Sequence, residues 1–120
     1  MNENTPYRIT DFAESERPRE RLARLGAKSL SNAVLLAILI RVGVRGENAV
    51  QVAQRLLNSF DGVLGLHRAS FDEVCAQHGI STAKAAQIKA ALELCYRMEK
   101  ESIEQERIQS PEQAAQLILY

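Results

Sequence analysis

The stretch QHGISTAKAAQI, residues 77 to 88, places one glycine, two hydroxyl residues and a lysine directly at the head of an alanine-rich run. That order of residue types can build an anion cradle. The first N–H groups of a helix have no intrahelical acceptor, and a preceding turn can aim further N–H groups into the same concavity. Glycine lets an oxyanion approach the backbone without meeting a Cβ. In this reading Gly79, Ile80, Ser81 and Thr82 form the turn, while Lys84 and Lys89 stand beside it as point charges. Such contacts reach the sugar-phosphate backbone and carry no base information. The other reading is a helix start that closes a purely structural hairpin.

Other chemistries have less to build on. Cys75 and Cys95 lack the close Cys or His spacing of a zinc site or redox pair, and are expected to be reduced thiols in the core. His67 and His78, the only histidines, read as solvated residues at helix ends, where the C-terminal dipole favours them. No Gly-rich loop ends in Lys-Ser or Lys-Thr, so the usual nucleotide loop is excluded. No nucleophile, base and orienting group can be assembled. The chain is therefore expected to be non-catalytic, with no metal site and no cofactor.

Fifteen basic residues balance fifteen acidic ones, so attraction to nucleic acid must be local. Residues 1 to 45 carry eight Arg/Lys against five Asp/Glu, a net of +3; residues 99 to 120 carry two against five, a net of −3. The basic cluster Arg17, Arg19, Arg21, Arg24 and Lys28 reads either as a solvated face paired with Glu14, Glu16 and Glu20 or as a patch for DNA or a partner protein. The longest apolar run, Ala33 to Ile40, falls far short of the roughly 20 residues a bilayer span requires, and no basic-then-apolar leader opens the chain. A cytoplasmic protein with no membrane partner is expected.

The elements that would position the cradle are helices. Residues 1 to 14 read as a flexible arm. Pro18 suits the first position of a short basic helix that ends at Gly26. Ser31 can cap a helix from Asn32 to Val42 whose apolar residues cover nearly every side, marking it as the central buried helix. Gly43-Val44-Arg45-Gly46 breaks the pattern, and Ala49, Val50, Ala53, Leu56, Leu57 and Phe60 recur at helical spacing. Ser70 and Glu73 form a capping box for a short helix that Gly79 ends, and a long helix then fades into a charged stretch beyond Met98. The expected core is Val34, Leu35, Ile38, Leu39, Ala53, Leu56, Leu57, Ile88 and Leu92. A shift of 36 residues lays Gly43 on Gly79, Ala49 on Ala85 and Val52 on Ile88, which suggests two related hairpins. Gly43, Arg45 and Gly46 then join the candidate contacts.

HGISTAKAAQI resembles the helix-hairpin-helix motif, with Ala85 and Ile88 at its small and aliphatic positions. RPRERLARLGAKSLSNAVLLAILIRVG, residues 17 to 43, and GISTAKAAQIKAALEL, residues 79 to 94, are together similar to the N-terminal half of the bacterial RadC family, whose name is tied to DNA repair. The resemblance implies a helical domain followed by a JAB/MPN domain with the fold of zinc deubiquitinase-like peptidases; SPEQAAQLILY is similar to the first helix of that second domain. Two departures stand out. Ser81 occupies the place of the second hairpin glycine, and the His-x-His metal segment of the family's C-terminal domain has no counterpart here.

The expected fold is all-α, a tandem helix-hairpin-helix bundle of about five to six helices over residues 15–106. Residues 107–120 would be a linker and the start of a truncated JAB/MPN domain. The expected function is sequence-independent binding of duplex or branched DNA through backbone phosphates. The alternative is a protein-interaction or regulatory domain for the missing C-terminal domain.

Overall fold

The computed structural model describes residues 17–109, with side chains to residue 108. The expected arm at residues 1–14 lies outside the described residues, as does the expected linker and domain start of residues 107–120 except for 107–109, which are helical. The chain divides into two compact units, the first ending at Lys89 and the second starting at Ala90.

The first unit is helical throughout. Helix α1, Pro18–Leu25, starts on a proline whose missing N–H costs nothing there, and Gly26 at φ +82° closes it by donating to the Leu22 carbonyl. A 3-10 turn, Ala27–Ser29, leads to α2, Asn32–Ile40, whose first turn is capped by Ser31 accepting from the Val34 N–H. Helix α3, Ala49–Ser59, begins in a reciprocal box between Asn48 and Gln51. Two short helices follow: α4, Val63–Arg68, and α5, Phe71–Cys75, the latter capped by the Ser70–Glu73 box. Helix α6, Thr82–Gln109, starts in the first unit and supplies the described part of the second. No strand occurs among the described residues; Val44 and Glu47 form one isolated antiparallel bridge. The fold is all-α.

The core of the first unit lies where α2 packs on α3. Ala37, Ile40, Val52, Ala53 and Leu56 are shut from solvent there, joined by Leu66, Val74, Ala85 and Ile88. This corrects the expected core in part. Val34, Ala53, Leu56, Leu57 and Ile88 are buried, but Leu35, Ile38 and Leu39 are only half-buried, and the inward positions of α2 are Ala33, Val34, Leu36, Ala37 and Ile40. A helix apolar on all sides gives its hydrophobic period no phase. Leu92 is likewise not fully buried.

The described part of the second unit is the remainder of α6, and its side chains beyond Glu93 are exposed. Leu94, Met98 and Ile108 are each at least 65% exposed. Arg97 pairs with Glu93 one turn earlier, and the Lys100 ammonium lies 5.4 Å from the ring centre of Tyr96. Among the described residues no helix is long and apolar enough to cross a membrane.

Candidate nucleic-acid interface

The two glycine-led turns of the first unit meet, and Arg55 and Lys84 each bond to both of them. After α2 the backbone passes through Arg41 at φ 73°, ψ −52°, with the Val42 N–H donating to the Ile40 carbonyl at 2.9 Å. This is the γ-turn of positive φ, a rare and strained form. Gly43 follows and is buried; a Cβ there would lie 2.1 Å from the Glu47 carbonyl oxygen, so only glycine fits. Val44 and Glu47 then exchange backbone hydrogen bonds at 2.9 and 3.0 Å around Arg45 and Gly46, both exposed.

The second turn is shorter. Ile80 N–H donates to the Gln77 carbonyl, Gly79 takes φ +86°, and the Ser81 hydroxyl accepts from the Lys84 N–H at 3.2 Å to cap α6. Ser81 therefore serves as an N-cap rather than as an open position of the turn. One residue lies between Gly79 and that cap, whereas four lie between Gly43 and Asn48. The buried pairs Ala49 and Ala85, and Val52 and Ile88, keep the 36-residue register, while the turns leading to them differ.

The predicted lysines are engaged inside the protein. Lys84 donates from Nζ to the Val42 carbonyl at 3.0 Å and the Gly79 carbonyl at 3.4 Å, one in each turn. Lys89 donates to the carbonyls of Leu66, His67 and Ala69, gathering the C-terminal end of α4. Neither bond set was visible in sequence, where both lysines sit on a helix like ordinary surface charges. Ile80 is buried at 6% exposure and belongs to the core, while Thr82 opens α6 exposed and without a carboxylate anywhere in that first turn.

Arg55 was missed as well. Its Nε and Nη2 hold both oxygens of Glu47 at 3.0 Å, and Nη2 also donates to the His78 carbonyl at 2.7 Å. A spacing of eight residues, with Glu47 outside the helix, matches no helical pairing rule. Hydrogen bonding from Arg55 holds the Glu47 carboxyl below its ordinary value of 4.5, its charge adding to the effect while burial opposes it. Arg17, Arg19 and Arg21 fall at the start of α1: Arg19 is exposed, Arg21 half-buried, and Arg17 lies 3.9 Å from Glu20. The cysteines depart from expectation, Cys75 being half-buried and Cys95 exposed on α6. An open cleft of about 490 Å³, lined by Ser31, Asn32, Gln54, Asn58 and Asp61 among others, contains none of the candidate residues. Among the described residues no group of His, Cys, Asp or Glu is placed to hold a metal ion.

A family profile described as UPF0758 N-terminal matches residues 9–86, from ahead of α1 into the first turns of α6. The chain belongs to the UPF0758 family. This is the RadC family. UPF0758 proteins similar to this chain include one from Chloroflexus aggregans, 47% identical over 113 residues, covering 93% of this chain and 49% of the relative. One from Bacillus velezensis is 47% identical over 115 residues, covering 95% of this chain and 50% of the relative. One from Dechloromonas aromatica is 57% identical over 90 residues, covering 74% of this chain and 40% of the relative. The chain thus spans about half the length of the curated UPF0758 relatives it matches. No solved structure matches it.

Proposed function

We propose that this chain is the N-terminal, non-catalytic nucleic-acid-binding module of a RadC-like protein, a helix-hairpin-helix unit that engages the backbone phosphates of duplex or branched DNA without reading bases. The observation that carries this reading is the start of α6. Its first N–H groups, at Thr82 and Ala83, have no intrahelical acceptor, no carboxylate neutralises its first turn, and the exposed Arg45 lies in the turn clasped against it. Because Lys84 and Lys89 are spent on carbonyls, the electrostatic attraction falls to Arg45, Arg19 and Arg21. The module would act in the cytoplasm, and any zinc-peptidase chemistry would belong to a JAB/MPN domain in the half of the relatives' length that this chain does not span.

A second reading, a docking or regulatory domain for that C-terminal domain, draws support from the internal use of both lysines and from the exposed Leu94, Met98 and Ile108. Titration with duplex, forked and single-stranded DNA across a salt series separates the two. DNA binding gives a slope of log affinity against log salt of about −2 to −4, the mark of a few phosphate contacts. Ser81→Gly, which keeps a tolerated cap residue and removes the Cβ, should hold or tighten that binding. Absence of binding at low salt in both proteins hands the function to the docking reading.

A further inference from the structure

We infer that Arg55 and Lys84 form a two-cation clasp that couples the turn at residues 41–47 to the turn at 77–81, so that each keeps its shape only while the other is in place. Each cation holds both turns. The Arg55 fork grips the Glu47 carboxylate in the first and reaches the His78 carbonyl in the second; the Lys84 ammonium bonds the Val42 carbonyl in the first and the Gly79 carbonyl in the second. The two cations come from different helices, α3 and α6, so the clasp also fixes where those helices start relative to the turns.

The first turn has a reason to need such a device. Arg41 is held at φ 73° in a γ-turn, and strain of that kind persists only where the surroundings over-determine it. The carbonyl directly after Arg41 is the one that Lys84 binds, and the carboxylate that closes the turn is the one that Arg55 binds. A planar guanidinium meeting both carboxylate oxygens fixes orientation as well as distance, which an ammonium at the same place would not do. The second turn gains in return, because Arg55 and Lys84 take up the His78 and Gly79 carbonyls around a glycine at φ +86°. Segments joined in this way open as one cooperative unit. The inference does not depend on DNA.

Amide hydrogen exchange on the whole chain tests it. The probes are the Val44 and Glu47 amides, bonded to each other's carbonyls in the first turn, and the Ile80 amide, bonded to Gln77 in the second. Lys84→Met and Arg55→Met should each speed exchange at all three by about tenfold or more while the α3 amides keep their protection. Glu47→Gln, which alters only the first turn's side of the clasp, should still speed exchange at Ile80. Arg55→Lys, which keeps the charge and loses the fork, provides a gentler variant should Arg55→Met fail to fold, and should act in the same direction. Lys89→Met, whose ammonium binds the end of α4, should leave all three probes unchanged. Exchange that rises in one turn only, or rises equally throughout α3, overturns the coupling.

Discussion

A β-carbon placed on Gly79 would stand 2.9 Å from Cγ1 of Val44: the second turn touches the first where a side chain would begin. Gly79 also takes φ +86°, so Gly79→Ala meets both a strained backbone and a neighbour that must move. The expected loss is about 1–3 kcal/mol in denaturant unfolding. Gly43→Ala should cost more, because its Cβ would meet backbone, the Glu47 carbonyl oxygen at 2.1 Å, rather than a side-chain methyl at 2.9 Å. If the two losses rank the other way, the packing of the turns is misassigned.

Arg41 is exposed and at φ 73°. Glycine adopts that conformation freely, so Arg41→Gly should raise stability by about 1 kcal/mol, the relief of strain outweighing the added freedom of the unfolded chain. Thermal unfolding reads the difference, and a clear loss would mean that the side chain contributes more than its backbone costs.

Glu47 predicts a pH dependence. Its carboxyl is held below the ordinary 4.5 in the folded protein, so the stabilisation is fully present above that value and is lost as pH falls through the folded value. The stability gap between the natural protein and Glu47→Gln should stay level well above 4.5 and narrow progressively as pH falls below it. A gap that widens on acidification would contradict the ion pair with Arg55.

In α2, Ile40→Ala should cost about 2–5 kcal/mol, since Ile40 is 1% exposed, and Leu39→Ala less than about 2 kcal/mol. Equal losses at the two positions would mean that α2 is rotated from the orientation described.

The caps were plain in the sequence because they are local: Ser31, and the exchange between Ser70 and Glu73, lie three residues from their partners and need no knowledge of the fold. Pro18 and Gly26 likewise bound α1 as their backbone preferences require. The face of α2 was not legible, since nothing polar marks its outer side. Helix α4 leaves no signature in the sequence, because six residues around a glycine give too short a pattern for periodicity to register. The candidate site was legible in its turns and not in its charges. Gly43 and Gly79 announced themselves, whereas the bonds of Lys84 to Val42 and of Arg55 to His78 join residues 42 and 23 positions apart and exist only once the chain has folded.

The three carbonyls gathered by Lys89 also bear on the order in which the chain acquires its structure. Helix α4 has six residues, too few to sustain itself in water, and the cation that receives its last carbonyls arrives 20 or more residues later in the chain. Its shape therefore rests on tertiary contacts, and the Lys89 ammonium can join them only once the first turns of α6 have docked. Removing that ammonium should show itself as faster unfolding with little change in the refolding rate, the kinetic mark of a contact made after the barrier has been crossed.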